Sequence, residues 1–214
     1  MRPVAVIGAG GFGREVLDIL RDQSRTLLGV FDDSPALADL ALLSQQKVSF
    51  LGSVQMMIEQ FQPDEIEYVI GIGTGNVRKL IDNKLTPLGF EPATLVHSTS
   101  SQGFGVTFAP GTVICAGARL TTNISIGRHT HVNINSTIGH DSILQNYVTV
   151  NPLAAVSGSV HIGECVLVGA GAFIVQGKTI GDSGVVGAAA AVMKDVESNI
   201  TVVGVPAKPL NRLI

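Results

Sequence analysis

The chain has 214 residues, of which 45% are apolar, with no tryptophan and a formal net charge of −3 at pH 7. Its 14 basic residues are scattered and outnumbered by 17 acidic ones, which leaves no basic surface for a nucleic acid. No signal peptide and no run of about twenty apolar residues is recognisable, so we expect no membrane association and a cytoplasmic location.

The chain begins with a predicted strand, a glycine-rich turn and a predicted helix. Residues 4–7 are apolar, the loop after them reads GAGGFG from Gly8 to Gly13, and residues 14–20 have the apolar spacing of a helix. Glycines in such a turn let backbone N–H groups approach a phosphate at the helix N-terminus. Backbone contacts to a nucleotide are therefore expected from this loop, at Gly10, Gly11 and Phe12.

Two further apolar segments predict strands of the same sheet. Residues 27–31 lead into Asp32 and Asp33, about twenty residues beyond the glycine loop, and a later segment leads into Gly73. The two aspartates are predicted to face a ribose or a base, and Gly73 to lie at the same site. Arg78 follows and is a candidate ligand of a diphosphate. The pattern indicates a truncated Rossmann-like α/β domain over residues 1–90.

The glycine loop leaves two other interpretations open. A Gly-x-Gly-x-x-Gly sequence followed by an acidic residue is also typical of nicotinamide cofactors, but about ninety residues are too few for the usual six-stranded sheet. The glycines could also serve only a tight strand-to-helix turn. A nucleotide-sugar diphosphate is the favoured ligand.

The second half of the chain has a period of six residues. A large apolar side chain occupies every sixth position from Phe108 to Val192. Helices and simple amphipathic strands have periods of 3.6 and 2. Short parallel strands that wind around a prism instead bring every sixth residue to the same environment. Glycines directly after many of these positions are predicted to mark the corners. Fifteen positions at three per coil predict five coils of a β-solenoid.

The repeat resembles that of the hexapeptide-repeat acyltransferases, which implies an all-β left-handed parallel β-helix over residues 91–214. Together with the small α/β domain, the chain is similar to bacterial N-acetyltransferases of nucleotide-linked 4-amino-4,6-dideoxy sugars and to sialic acid O-acetyltransferases of similar layout. The strongest local match is the segment NINSTIGHD, from Asn133 to Asp141. The resemblance implies an acetyl-CoA-dependent homotrimer with its sites between chains and no metal.

The same resemblance assigns the catalytic residues. It makes His140 the general base, Asp141 the carboxylate that raises its basicity, and Asn133 a close neighbour in the active site. The chemistry agrees, because acyl transfer to an amine needs a base that works near pH 7. A carboxylate beside the imidazole holds its tautomer and stabilises the imidazolium.

Coenzyme A is expected along the coils between adjacent subunits. The resemblance implies backbone contacts around Gly158, Ala170 and Ala188, with Lys208 beside the phosphates. Many relatives carry a second histidine nine residues after the base, in contact with the thioester carbonyl. This chain has Thr149 there, and its hydroxyl could still donate a hydrogen bond.

The other histidines and the two cysteines are expected to have no chemical role. We predict solvated or capping positions for His97, His129, His131 and His161; the second and third are also candidates for lining the catalytic groove. The cysteines lack CxxC spacing, which indicates free structural thiols.

The preferred hypothesis is transfer of acetyl from acetyl-CoA to the 4-amino group of a nucleotide-linked amino-dideoxy sugar. One alternative is O-acetylation of sialic acid or a related sugar, which would use the same base without requiring a nucleotide. The other is a non-catalytic nucleotide-binding scaffold, against which the presence of His140 and Asp141 argues.

Overall fold

The N-terminal part of the chain alternates strands and helices. The protein is described by a computed structural model over residues 1–210. The strands are β1 (Val4–Ile7), β2 (Leu27–Phe31), β3 (Phe50–Gly52), β4 (Glu67–Ile70) and β5 (Glu91–Pro92). The helices are α1 (Gly11–Asp22), α2 (Leu37–Gln45), α3 (Val54–Gln60) and α4 (Gly75–Leu85), followed by a 3-10 turn (Thr86–Leu88). The five strands form one parallel sheet in the order β3-β2-β1-β4-β5.

Two apolar cores cover the two faces of this sheet, because side chains alternate along each strand. In β1, Val4 and Val6 belong to the core that α1 covers, whereas Ala5 and Ile7 belong to the core on the α3 side. The chain reverses its progress across the sheet between β1 and β4, which creates a crevice at their carboxyl ends. Since β5 pairs with β4, the sheet continues two residues past the predicted boundary at residue 90.

The rest of the described chain winds into three parallel sheets of short strands. Strands pair with those 18 residues later, as Val132 pairs with Val150. The strands of the coils are β6 (Leu95–Val96), β7 (Ser101–Gln102), β8 (Thr107–Phe108), β9 (Val113–Ile114), β10 (Arg119–Leu120), β11 (Ser125–Ile126), β12 (His131–Val132), β13 (Thr137–Ile138), β14 (Ile143–Leu144), β15 (Thr149–Val150), β16 (Ala155–Val156), β17 (His161–Ile162), β18 (Leu167–Val168), β19 (Phe173–Ile174), β20 (Thr179–Ile180), β21 (Val185–Val186) and β22 (Ala191–Val192). Finally, β23 (Thr201–Val203) joins β21 and pairs antiparallel with β24 (Lys208–Pro209).

The interior of this β-helix follows the six-residue period. Fourteen of the predicted apolar positions are buried in one continuous core, and Phe108 packs partly buried against it. The first coil starts earlier than the period indicated, at Leu95. Its apolar phase is interrupted by the exposed Gln102, which hid the coil from the sequence pattern. The predicted β-helix is confirmed and is longer than the five coils from Phe108 to Val192.

The corners are made by residues other than the predicted glycines. A positive φ recurs three residues after each apolar position from Phe108 to Val186, as at Asn135 (55°) and Asp141 (60°). The glycines directly after the apolar residues serve close packing: a Cβ on Gly139 would lie 2.4 Å from Gly158 N in the next coil. The assignment of these glycines to the corners was therefore wrong; they let adjacent coils approach.

The α/β domain packs on the first coils through an apolar contact. Four residues from the start of the β-helix share the core of α1: Ala93, Leu95, Val113 and Cys115. This contact covers the sheet that contains β6 and β9, whereas outward residues of the other two sheets, such as Thr107 and Thr137, are exposed.

A buried carboxylate on α4 makes the second connection. Asp82 accepts hydrogen bonds from the hydroxyls of Tyr68 (2.8 Å) and Tyr147 (2.7 Å) and from Arg128 Nε (2.6 Å). His129 Nε2 lies 3.1 Å from the same carboxylate. Burial raises the pKa of Asp82, but the hydrogen bonds, led by those from Arg128, outweigh it and hold the pKa well below its usual range. The carboxylate is therefore ionised at neutral pH.

Candidate active site

A cavity of about 290 Å³ opens at the crevice of the α/β sheet. It lies at the carboxyl ends of β1 and β4, where α/β domains bind their ligands. Residues after β4 form one wall and the glycine loop forms the other. Five of the predicted nucleotide contacts line it: Gly10, Gly11, Phe12, Asp32 and Gly73.

The glycines around the cavity fall into two groups. Gly8 has a φ of 114°, and a Cβ on Gly13 would lie 1.9 Å from Gly8 O, so these two are needed by the fold. In contrast, apart from the adjoining backbone, no atom of the described chain lies within 4 Å of a Cβ built on Gly10 or Gly73, and Gly11 meets one atom at 4.0 Å. The tight-turn interpretation explains the first group, whereas the second group faces open space where a ligand can approach the backbone.

The first turn of α1 is suited to an anion. Its N-cap, Gly10, has no side chain to occupy the first N–H groups, and the turn carries no acidic residue. Arg14 adds a positive charge beside the loop, where it donates to Ala9 O (2.9 Å) and pairs with Asp39 (2.5 Å). Arg14 was not among the predicted site residues; its position one helical turn after Gly10 was the signal that could have identified it.

The two predicted aspartates have different surroundings. Asp32 lines the cavity, and its two oxygens accept hydrogen bonds from Ala9 N and Ser34 N, both at 2.8 Å. Each carboxylate oxygen has a second lone pair, so Asp32 can still accept a ribose hydroxyl. Asp33 lies outside the cavity lining, and its Oδ1 accepts from Val54 N at the start of α3. Asp33 is exposed and has its other oxygen unengaged by these bonds, so its contact with a ribose or base stays a prediction.

Two histidines that were predicted to be solvated are buried between the domains. His131 stacks on Phe12 with ring centroids 4.7 Å apart, and His129 stacks on Tyr68 and Tyr147 at 5.7 and 5.9 Å. Both side chains are inaccessible to solvent, and burial lowers both pKa values. The solvated, capping or groove-lining roles expected for these histidines are therefore wrong.

Arg78 and Thr149 are also buried, so neither faces a substrate. The Arg78 guanidinium donates to carbonyl oxygens and to the Thr149 hydroxyl, and that hydroxyl donates to Gly73 O (2.8 Å). This position corrects the prediction that Arg78 binds a diphosphate and the prediction that Thr149 contacts the thioester carbonyl. The physical reason is that α4 packs directly against β15.

The candidate base lies exposed on an edge of the β-helix. The His140 side chain is 47% exposed, and its Nδ1 lies 2.7 Å from Asp141 Oδ2. The other Asp141 oxygen accepts a hydrogen bond from Asn123 Nδ2 (2.6 Å). The bonds from Asn123 and His140 lower the pKa of Asp141, so the carboxylate stays ionised and favours a proton on Nδ1. Nε2 is then free to accept a proton.

Neighbouring coils hold this pair in place. Asn123 precedes Asp141 by one 18-residue coil, a separation that could have identified it in the sequence. Gly158 lies one coil after His140, and a Cβ there would be 2.4 Å from His140 Nε2. The imidazole therefore lies across the Gly158 backbone. Among the described residues, the Gly158 N–H has no hydrogen-bond acceptor.

Other predicted site residues lie on a different edge. Ala170 and Ala188 each follow, by two residues, a strand of the sheet that also contains β12. His140 and Gly158 follow strands of the next sheet in the same way. One side of the prism separates the two edges, on the order of 15 Å at about 3.3 Å per residue. A single chain therefore does not bring the two sets together.

Asn133 lies at the same edge as Ala170 and Ala188, since it directly follows β12. Its side chain is only 6% exposed, and Cys115 Sγ lies 3.7 Å from its Oδ1. A cavity of about 270 Å³ adjoins it, with Cys115 and Ile134 in its lining. In one chain Asn133 and His140 thus lie apart. Lys208, the predicted phosphate partner, lies exposed in β24.

The cysteines and His97 were predicted to have no chemical role. Both cysteines are free thiols, one buried and one partly buried. His97 Nδ1 accepts a hydrogen bond from Thr99 N (3.1 Å), as a capping residue does.

Within residues 1–210, no three His, Cys, Asp or Glu side chains are grouped to hold a metal ion. Over that part of the chain, no helix is both long enough and apolar enough to cross a membrane.

Comparison with known proteins identifies relatives of both parts of the chain. Residues 3–85 match the family model described as the PglD N-terminal domain. The chain is 30% identical to the GDP-perosamine N-acetyltransferase of Escherichia coli O157:H7, over 99% of this chain and 98% of that protein.

Solved structures share the fold over nearly the whole chain. The crystal structure of PerB from Caulobacter crescentus in complex with CoA and GDP-perosamine has a TM-score of 0.89 at 25% identity, covering 99% of this chain and 98% of that one. The acetyltransferase domain of PglB from Neisseria gonorrhoeae FA1090, in complex with acetyl coenzyme A, has a TM-score of 0.84 at 26% identity, covering 98% and 99%.

The α/β domain joined to a left-handed β-helix is thus the fold of hexapeptide-repeat acetyltransferases. Within that class, the chain belongs to the family of GDP-perosamine N-acetyltransferase and its homologues. The resemblance found in the sequence is confirmed.

Proposed function

We propose that the protein transfers the acetyl group of acetyl-CoA to the amine of a nucleotide-linked 4-amino-dideoxy sugar. The observation that supports this most directly is the exposed His140, with Nδ1 on Asp141 and Nε2 free. Two observations favour this acceptor over free sialic acid: the cavity at the glycine loop, which suits a nucleotide, and the similarity to a GDP-perosamine N-acetyltransferase. Acetylation of free sialic acid would not require a nucleotide site. The cytoplasmic location stays a prediction.

The reaction needs one base and one oxyanion donor. His140 Nε2 accepts a proton as the amine nitrogen attacks the thioester carbonyl carbon, and Asp141 stabilises the imidazolium. The Gly158 N–H is the candidate donor to the oxygen that becomes negative. The tetrahedral intermediate then breaks its C–S bond, and the leaving CoA thiolate takes the proton from His140. The new amide forms without an acyl-enzyme.

The α/β cavity is proposed to hold the nucleotide part of the acceptor. The free N–H groups of the first turn of α1, at Gly11 and Phe12, and the Arg14 guanidinium suit a diphosphate. Asp32 retains capacity to accept a ribose hydroxyl.

The complete site is proposed to form between chains of a homotrimer. The edge with His140 and Gly158 and the edge with Asn133, Ala170 and Ala188 are separate in one chain. Two copies packed side by side can bring one edge of each kind into a common groove, where coenzyme A would run between them. The exposed Ala170 and Ala188 leave room for such a ligand on their edge.

A thiol-release assay with acetyl-CoA tests the reaction. The panel comprises GDP-, UDP- and dTDP-linked 4-amino sugars, with free sialic acid as the contrast. We expect turnover of one nucleotide-linked amine. Turnover of sialic acid alone would establish O-acetylation instead, and turnover of none would remove the proposed reaction.

Mixed oligomers test the shared site. Light scattering should give three times the chain mass of 22.3 kDa, about 67 kDa. His140→Ala and Asn133→Ala variants should each be impaired alone and recover activity when co-expressed, because some grooves then receive both intact residues. No recovery in mixed oligomers would contradict a site built from two chains.

A further inference from the structure

We propose that Arg78 and Thr149 are positioning residues for acetyl transfer. They tie the wall of the glycine-loop cavity to the coils of the β-helix and so set where a bound acceptor lies relative to the base. The inference rests on the proposed function for the reaction that it affects. Its geometric basis is independent of the substrate.

Arg78 holds the cavity wall from behind. Its Nη1 donates to Ile72 O (2.8 Å) and to Gly73 O (2.9 Å). Both residues line the cavity, and they belong to the short loop between β4 and α4. The carbonyl groups of this wall are therefore fixed by a side chain that is itself inaccessible to solvent.

The same guanidinium holds the β-helix with its other nitrogens. Nε donates to His129 O (2.8 Å), and Nη2 donates to Tyr147 O (2.7 Å) and Val148 O (3.0 Å). His129 and Tyr147 occupy the same corner of successive coils, where both have positive φ. One planar group thus connects the cavity wall to two coils at once.

Thr149 provides a second, direct bridge. Its hydroxyl accepts from Arg78 Nη2 (3.0 Å) and donates to Gly73 O (2.8 Å). The start of α4, directly after the loop, lies so close to the coil that a Cβ on Gly75 would be 2.4 Å from Tyr147 O. The cavity wall is held against the β-helix at backbone distance.

The choice of arginine is energetically costly, which points to a geometric requirement. Arg78 is fully buried, and every hydrogen-bond acceptor found for it among the described residues is a carbonyl or hydroxyl oxygen rather than a carboxylate. Burial lowers the pKa of Arg78 to about 9, so the guanidinium is still charged at pH 7. Apolar side chains could join two surfaces without burying a charge. A planar guanidinium also fixes their direction and distance.

Positioning of this kind matters because acyl transfer requires the reacting atoms to be about 3–3.5 Å apart. A displacement of about 1 Å can cost about a hundredfold in rate. Loosening the bridge should therefore lower kcat, with little change in the affinity of either substrate.

The test compares Thr149→Val, which removes both hydroxyl bonds while keeping the shape, with Thr149→Ser, which keeps them. Thr107→Val is the matched control, since Thr107 occupies the outward position of another coil and is exposed. We expect kcat of Thr149→Val to fall about tenfold, with KM for both substrates within twofold of wild type and Thr149→Ser near wild type. Arg78→Lys, which keeps the charge but loses the planar fork, should fall about a hundredfold per folded molecule.

Hydrogen exchange gives a readout that does not depend on turnover. Faster exchange of residues 71–74 in Thr149→Val, with β1 unchanged, would support the bridge. Unchanged exchange there overturns it, even if no acceptor is found and the proposed function fails. With an active wild type, a Thr149→Val kcat within twofold of wild type, or a rise in KM alone, overturns positioning and leaves the proposed function intact.

Discussion

Polar side chains have opposite roles in two regions: the junction between the α/β domain and the β-helix, around Arg78 and Asp82, and the edge of the β-helix that carries His140. At the junction, the hydrogen-bonding groups of Arg78 and Asp82 are buried and engaged by several partners each. At the edge, the His140 side chain is half exposed, and within residues 1–210 only its Nδ1 has a hydrogen-bond partner. Buried groups must be satisfied by the protein, whereas an exposed nitrogen remains available to a substrate. The difference separates groups that hold the molecule from the group proposed to do its chemistry.

The histidines show the same contrast within one residue type. His129, His131 and His140 follow each other within twelve residues, yet the first two are inaccessible and neutral at pH 7. Their sheet is covered by the α/β domain, while the His140 edge is free of it. Position on the prism therefore decides which histidine can act as a base.

Removing the exposed imidazole should have the largest effect. His140→Ala should lower kcat by about a hundred- to ten-thousandfold, because the reaction loses its general base. Thermal unfolding should be unchanged, since the side chain is half exposed. His161→Ala is the control, a histidine on the next coil outside the proposed site. Steady-state kinetics with the best acceptor make the comparison; full activity of His140→Ala would remove the mechanism.

Breaking the junction should instead affect stability. Asp82→Asn should cost about 3–5 kcal/mol in free energy of unfolding, because the buried hydroxyls of Tyr68 and Tyr147 and the partly exposed Arg128 lose their charged acceptor. Chemical denaturation measures the loss. Glu59→Gln, on the exposed face of α3, should change it by less than about 0.5 kcal/mol. Equal stabilities of the two variants would contradict a structural role for Asp82.

The difference in free energy of unfolding between wild type and Asp82→Asn should depend on pH. The folded-state pKa of Asp82 lies below its unfolded value, so its contribution is complete above the unfolded pKa of about 3.9. It is lost progressively as the pH falls below that value toward the folded pKa. The difference in stability between wild type and Asp82→Asn should be constant from pH 8 to about pH 5 and narrow in more acidic solution. A difference that widened in acid would contradict this sign.

Crowding the exposed base tests the geometry of its edge. Gly158→Ala would place a Cβ 2.4 Å from His140 Nε2 and displace the imidazole. We expect kcat to fall about a hundredfold. Ser157→Ala changes a neighbouring residue of the same corner and serves as the control. An unaffected kcat in Gly158→Ala would show that the imidazole acts from another position.

The smallest effect is expected from the support of Asp141. Asn123→Gly keeps the positive φ of 55° and removes the hydrogen bond to Asp141. The kcat should fall about three- to tenfold, because the carboxylate that orients His140 loses one of its two hydrogen bonds. Asn199→Gly makes the same exchange at φ of 63° in the last coil, and it should leave kcat unchanged.

The β-helix was predictable because its sequence period is a direct consequence of packing. Each coil buries the apolar residues at the same positions of the six-residue repeat, so the pattern continues along the chain and is interrupted only by a residue such as the exposed Gln102. The left-handed corners were less visible, because the residues at those positions include Asn, Asp, Ser and Leu as well as glycine. The turn is imposed by the stacked coils rather than by residue preference.

The burial of Arg78, His131 and Thr149 could not be predicted, because it depends on docking of the α/β domain. His131 and Thr149 occupy outward positions of one sheet and are buried, whereas Thr137 occupies the same kind of position on the next sheet and is exposed. The period does not say which of three equivalent sheets the domain covers. For the candidate base, the local motif and the free edge agree without that information.

The 18-residue register has a consequence for the length of the molecule. Because Leu167 pairs with Val185 and Thr149 pairs with Leu167, the coils there are interchangeable units of one length. Excision of one complete unit should join two matching ends and leave every remaining side chain on its original face. A cut one residue longer or shorter should turn the interior outward for all residues beyond it. Changes in length that keep both the apolar interior and the outward faces in register therefore come in whole turns of the coil.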